Sequence, residues 1–271
     1  MANNGSDLAL RAFSSIFIVL FIVGGIWLGN PLWAVFCAVL SLLSLFEFYK
    51  LTQKDHKYSP VLMFLLAFVV LYALLVKRQT GWMLVFASVF VLIILFDEVW
   101  DRQKTGKSMA LRSTGNFISG VVYTVLPWCY LGVLREKTNG EYILFVLFAC
   151  TWASDVFAYL IGRKFGKRKL CDRVSPKKTW EGTLGGLFAS VLCAFIAALI
   201  FKLSLLHVTA LGFFCGSLGQ LGDLAESVLK READVKDSGN IIPGHGGILD
   251  RFDSILVNAV TAYIIFGLFV K

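Results

Sequence analysis

The sequence predicts an all-α polytopic integral membrane protein of about nine transmembrane helices, with its N-terminus in the cytoplasm and its active site at the cytoplasmic face. Three observations carry this expectation. Of 271 residues, 57% are hydrophobic and only 16% charged, with a mean hydropathy of +0.73, whereas a soluble domain stays near half apolar and about 25% charged. Apolar runs of the roughly 20 residues that cross a bilayer recur along the chain, and lipid cannot satisfy an open backbone, so such runs are helical. Finally, 20 of the 26 Lys and Arg residues fall on one side when the runs are threaded alternately with the N-terminus inside, as the positive-inside rule requires.

In order, the runs lie at approximately 10–28, 31–49, 59–76, 81–99, 115–134, 141–162, 181–202, 206–229 and 252–270. The first begins near the N-terminus but lacks the small-residue cleavage site of a signal peptide, so it reads as retained. The fifth and eighth are rich in Gly, Ser and polar residues. No connecting loop is long enough for a separate globular domain, which confines any chemistry to the membrane and its surfaces. The basic residues crowd most densely at 163–178, beyond what topology needs, and such a face attracts anionic headgroups or nucleotides. Nothing in the pattern calls for nucleic acid. The six cysteines show no CxxC or CxxH spacing and read as small apolar side chains.

The chain divides into an N-terminal transmembrane scaffold, 1–135, and a C-terminal catalytic transmembrane part, 136–271. In the first, ionisable groups keep to helix ends, where Glu47, Asp97 and Glu98 are expected to meet solvent, and 107–116 is expected along the interface. In the second, polar groups enter the spans. An ionisable residue at that depth costs about 3 kcal/mol or more and is a functional candidate by default.

Three polar clusters follow. In TWASDVFAYLIGRKFGKRK (151–169), Asp155 lies about two turns before the cytoplasmic helix end, with Tyr159 on the same face; it is either a site residue or a packing carboxylate paired across helices. Gly162 and Gly166 are expected to let a ligand approach the backbone. In SPKKTWEGTLGG (175–186), Ser175 and Pro176 read as cap and first turn of the seventh span, and Glu181 suits a helix N-terminus. Lys177 and Lys178 beside free helix N–H groups make a phosphate site, or else anchor the span at the interface.

The third cluster is SLGQLGDLAESVLKREADVKDSGNIIPGHGGILDRFD (217–253). Asp223, Glu226, Ser227 and Lys230 fall on one helical stripe, where the carboxylates share a cation or pair with Lys230 and Arg231. A Gly-rich loop follows, and Asp250, Arg251 and Asp253 open the ninth span. Asp223 and Asp250 thus flank the loop from adjacent helices as hard oxygen ligands that, with water and phosphate, suit Mg²⁺. The loop glycines are expected to cradle phosphate with backbone N–H groups. His245, without a histidine partner, suits a phosphate contact or a loop hydrogen bond better than a metal. Together the clusters point to metal-dependent phosphoryl or nucleotidyl chemistry on a lipid. An ion or anion transporter would also bury carboxylates, but would not need a Gly-rich basic loop on one face.

Ser227 to Asp253 closely resembles the signature of the phosphatidate cytidylyltransferases (CDP-diacylglycerol synthases). Ser227, Leu229, Lys230, Arg231, Lys236, Asp237, Gly239, Ile242, Pro243, His245, Gly246, Gly247, Ile248, Asp250, Arg251, Phe252 and Asp253 fill every specified position. SPKKTWEG and SDVFAYLIGRKFG resemble the nucleotide-side motifs of that family. The resemblance is strong over roughly 140 to 271; upstream it rests on hydropathy alone. It implies that CTP and phosphatidic acid give CDP-diacylglycerol and pyrophosphate in a multi-pass protein of the bacterial cytoplasmic membrane. It also implies metal binding at Asp223 and Asp250, a monovalent cation beside Mg²⁺, and a homodimer built on the membrane helices. Phosphate binding would fall to Lys177, Lys178, Lys230, Arg231 and Arg251, with Ser227, Lys236, Asp237 and His245 organising the site.

Overall fold

The computed structural model describes residues 4–52, 60–76, 81–106, 109–242 and 246–269. Among the described residues, helix occupies nearly all of each stretch expected to span. In chain order these are α1 (Asn4–Trp27), α2 (Asn30–Leu51), α3 (Pro60–Leu71, prolonged by a π turn at Tyr72–Val76) and α4 (Gly81–Thr105). Then α5 (Ala110–Gly120) runs through a π turn (Val121–Val125) into α6 (Leu126–Arg135), followed by α7 (Gly140–Phe165), α8 (Trp180–Ile200), α9 (Leu205–Glu232) and α10 (Leu249–Ala262, prolonged by a π turn at Tyr263–Phe269). Among the described residues six stretches are long and apolar enough to cross a membrane: Asn30–Leu51, Ala110–Arg135, Gly140–Phe165, Trp180–Ile200, Leu205–Glu232 and Leu249–Phe269. Ile16–Trp27 and Val61–Val76 are apolar but shorter. Large side chains such as Phe188, Leu199 and Phe157 stand exposed on these helices, the surface expected of a bundle solvated by lipid. The protein is an all-α, multi-pass membrane protein.

Two apolar clusters hold the bundle. The larger joins Trp33 and Cys37 of α2 and Trp128 and Leu131 of α6 to Leu144 and Phe148 of α7, Leu211 of α9, and Leu249, Phe252 and Ile255 of α10. The smaller packs Leu45 of α2, Met63 and Leu66 of α3, Phe117 of α5 and Cys129 of α6. Helices α2 and α6 therefore belong to both. The buried Trp33 indole bonds the Leu131 carbonyl at 3.0 Å and the Trp128 indole bonds Ser44 Oγ at 3.2 Å, so both of these buried indole N–H groups have a partner.

Helices α7, α8 and α9 approach unusually closely because small residues line their contacts. A Cβ on Gly186 would stand 2.6 Å from the Ser154 carbonyl oxygen, and one on Gly182 would stand 2.6 Å from that of Ala158. Gly162 belongs to the same contact: its nearest neighbours are Thr179 and Gly182, and Gly166 likewise faces Thr179. These two glycines admit a helix and a strand, and Gly162 also lines a cavity at this end of the bundle.

The 163–178 connection also corrects an expectation. Ser175 and Pro176 do not open a helix; they lie in strand β2 (Ser175–Thr179), which pairs antiparallel with β1 (Lys169–Cys171). The helix begins at Trp180, capped by Thr179, whose hydroxyl accepts the Gly182 N–H at 3.2 Å. The hairpin is fixed to α8 from outside its own strands. Trp180 N–H bonds the Arg168 carbonyl at 3.0 Å, and Glu181 accepts the N–H groups of Lys167 at 3.0 Å and Arg168 at 3.2 Å. A Ser-Pro signal weighs only local options and cannot register those cross-chain partners. Glu98, expected in solvent, is 3% exposed and accepts the Met109 N–H at 2.9 Å.

Candidate functional site

The C-terminal ends of α7 and α9, the N-terminal ends of α8 and α10, and the hairpin meet at one end of the bundle. Between them opens a cavity of about 1060 Å³, reaching Ile18 and Val19 of α1. This is at the upper limit of ordinary small-ligand sites, roughly 300–1,000 Å³. Its polar lining is almost balanced in charge: Arg163, Lys169, Lys177, Lys178, Lys230 and Arg251 against Asp155, Asp223, Asp237, Asp250 and Asp253. Apolar side chains, including Trp152, Val156 and Phe252, line the remainder.

The charged groups are wired in pairs. Lys178 Nζ lies 2.8 Å from Asp223 Oδ2 and donates to the Gln220 carbonyl at 3.1 Å, joining β2 to α9. Lys230 Nζ sits 2.7 Å from both Glu226 Oε2 and Asp250 Oδ1, joining α9 to α10. The second oxygen of Asp250 accepts the N–H of Ser238 (2.8 Å), its hydroxyl (2.9 Å) and the N–H of Gly247 (2.8 Å). Gly246 adopts φ +86°, and a Cβ there would stand 2.8 Å from Asp250 Oδ2. Both the backbone and the space therefore demand glycine.

Helix α9 stops at Ala233, where Asp234 turns to φ 57° and Val235 N–H closes on the Lys230 carbonyl at 2.9 Å. The loop folds back so that Ile242 N–H bonds the Gly246 carbonyl at 2.9 Å. Several N–H groups around the expected phosphate cradle are already engaged within the protein. Those of Ser238 and Gly247 serve Asp250, and those of Ile248 and Leu249 are taken by Glu47 of α2 at 2.9 and 2.8 Å. Buried N–H groups must be paired, and here carboxylates reach them first.

Of the residues singled out by sequence, Asp155, Lys177, Lys178, Asp223, Lys230, Asp237, Asp250 and Arg251 line this one cavity. Asp155 stands within the electrostatic reach of Asp223, Lys178 and Arg251. Ser227 stands behind it, its hydroxyl 3.4 Å from Asp223 Oδ1. Arg231 and Lys236 are exposed and outside the lining; His245 lies outside the described residues. Sequence reasoning missed three residues. Gln220, 6% exposed, ties α9 to the Thr183 carbonyl at 3.1 Å and to Ser154 Oγ at 3.4 Å. Ser238 bridges to Asp250, and Glu47, expected in solvent, is 1% exposed. A polar residue inside an apolar run was the available signal for Gln220; the partners of Glu47 lie some two hundred residues away.

Among the described residues no three His, Cys, Asp or Glu side chains converge as a ready-made metal cage. The donor chemistry nevertheless fits a hard cation. Glu226 Oε1 is buried without a hydrogen-bond partner, and Glu226 shares its surroundings with Asp223 and Asp250. This corner holds more carboxylate oxygen than its lysines satisfy, and Mg²⁺ commonly takes only one or two carboxylates alongside water and phosphate.

Residues 9–269 match the model of the cytidylyltransferase family. The chain is 42% identical over 146 residues to a phosphatidate cytidylyltransferase of Bacillus subtilis, covering 52% of this chain and 54% of that protein. It is 42% identical over 161 residues to one of Haemophilus influenzae, covering 54% and 55%. To one of Rickettsia bellii it is 34% identical over 158 residues, covering 55% and 68%. The chain spans about half the length of most of these relatives. With the family model matching nearly end to end, the chain belongs to the cytidylyltransferase family.

Proposed function

We propose that the protein is a nucleotidyltransferase that moves the cytidylyl group of CTP onto phosphatidic acid, giving CDP-diacylglycerol and pyrophosphate for phospholipid synthesis. The observation that carries this reading is the folding of Asp223, Lys230 and Asp250 with Lys178 into one cavity that is charged at the hairpin and apolar toward α1. Such a site offers a polyphosphate and a lipid headgroup a common meeting place. The names of the relatives point the same way.

In the reaction an oxygen of the phosphatidate phosphate attacks the α-phosphorus of CTP. The new P–O bond forms as the bond to the β-phosphate bridging oxygen breaks, and pyrophosphate leaves. Catalysis of this kind rests on positioning and on charge stabilisation. Lys177, Lys178 and Arg251 stand at the cavity wall as phosphate ligands, while Lys230 is held in place between Glu226 and Asp250. Asp223 and Asp250 would hold Mg²⁺, with a monovalent cation beside it; a bound divalent ion neutralises charge on the reacting phosphates. The same reading takes the site as cytoplasmic, the chain as nine spans with the N-terminus inside, the compartment as a bacterial cytoplasmic membrane, and the unit as a homodimer.

Labelled CTP tests the reaction. Purified protein with phosphatidic acid and Mg²⁺ should place cytidine label in the lipid and release pyrophosphate. Lipid labelled only from the γ-phosphate would make the protein a CTP-dependent lipid kinase instead.

A further inference from the structure

The geometry points to Glu47 as a positioning residue for the reaction, through which the N-terminal half of the chain holds Ser238 and the start of α10 in place. This inference rests on the cytidylyltransferase reading for its kinetic part and on geometry alone for its structural part. Glu47 lies in the last turns of α2, 1% exposed. Its Oε1 accepts the Ile248 N–H at 2.9 Å, and its Oε2 accepts the Leu249 N–H at 2.8 Å and faces the Ser238 hydroxyl at 3.4 Å.

Those two N–H groups belong to the start of α10, where four donors lack intrahelical partners. Ile248, at the cap position, has no side chain that could accept them. Glu47 supplies the missing cap from another helix, and its negative charge meets the positive end of the α10 dipole. Among the described residues it has no basic partner. A carboxylate buried without a counter-ion is costly, so its environment is shaped around it. A Cβ on Gly247 would stand 2.6 Å from Glu47 Oε2, and Gly239 also lies against the carboxylate.

The contacts form a relay. Glu47 and Asp250 share Ser238, and Asp250 in turn fixes Lys230, which fixes Glu226. Asp250 thus takes its place in the cavity from a residue of α2 that does not itself line it. Misplacement of a reacting group by about 1 Å costs about 100-fold in rate, so a loop released at Glu47 is expected to lose turnover without losing the fold.

Glu47→Gln provides the test, because its amide turns one acceptor oxygen into a donor facing N–H or O–H groups. Trp33→Phe, on the same helix but away from the cavity, removes a buried hydrogen bond to Leu131 and controls for lost stability. Hydrogen exchange on the purified full chain should accelerate about tenfold at Ile248 and Leu249 in Glu47→Gln, the scale of one lost hydrogen bond, and remain unchanged there in Trp33→Phe. Cytidylyl transfer should fall about 100-fold in kcat with a smaller change in KM for CTP, and Glu47→Asp should recover part of it. Unchanged exchange at Ile248 and Leu249, or faster exchange with wild-type kcat, would overturn the inference. If the wild type itself transfers no cytidylyl group, the functional reading fails, and the exchange measurement alone decides whether Glu47 anchors the loop.

Discussion

Asp250 is held at both oxygens, by Lys230 on one side and by Ser238 and Gly247 on the other, with its side chain only 5% exposed. Asparagine cannot satisfy both sides at once: its amide must face either an ammonium or three hydrogen-bond donors. Asp250→Asn should therefore abolish cytidylyl transfer and also lower the melting temperature in detergent, since breaking a buried pair costs about 3 kcal/mol or more. Asp223 is 38% exposed and pairs with Lys178 at the cavity wall. Asp223→Asn should abolish transfer while leaving the melting temperature near wild type. Near-normal turnover in both variants would remove these carboxylates from the reaction. Lys178→Ala should raise KM for CTP about tenfold, the effect of about 1.4 kcal/mol of phosphate contact; an unchanged KM would leave Lys178 a structural tie to α9. Spacing made Asp223, Lys230 and Asp250 legible, because helical periodicity and a Gly-rich break fix how near they fold. Glu47 was illegible for the complementary reason: its burial and its donors come from the far end of the chain.

At the scale of elements, helix placement was legible because a run of apolar residues long enough to span has one backbone solution in lipid. The hairpin was not, because its strands are three and five residues long and depend on Glu181 and Trp180 beyond them. The closeness of α7, α8 and α9 was equally hidden, since glycines in the 151–186 motifs could face ligand or helix with the same spelling. Gly186→Val tests which they face. Its Cβ would meet the Ser154 carbonyl at 2.6 Å and Gln220 Nε2 at 3.0 Å, and a backbone oxygen cannot step aside. We expect a loss of about 1–3 kcal/mol from overpacking, read as a lower melting temperature, and lost transfer because Gln220 and Lys178 move with the contact. Gly115→Ala in α5, with nothing within 4 Å of the added Cβ, should leave both unchanged or gain slightly in stability. Equal melting temperatures for the two variants would mean that α7 and α8 do not pack through Gly186.

At the scale of the whole molecule, the cavity and the hairpin lie at one end of α7 and the α6–α7 connection at the other. The 26 residues of α7 extend about 39 Å at 1.5 Å each, more than the roughly 30 Å hydrocarbon core, so the two ends must open to opposite faces. The proposed orientation, argued from the 20 to 6 division of basic residues, puts the hairpin end in the cytoplasm, where a charged nucleotide would be met. Single cysteines at two exposed positions read this directly, in a full chain whose native cysteines are replaced. Arg173→Cys at the hairpin should resist a membrane-impermeant maleimide in intact cells and react once the cells are permeabilised. Thr138→Cys in the α6–α7 connection should react in intact cells. The reverse pattern would place the cavity on the outer face, away from a cytoplasmic nucleotide pool, and would overturn both the orientation and the assignment of CTP as the substrate drawn from that side.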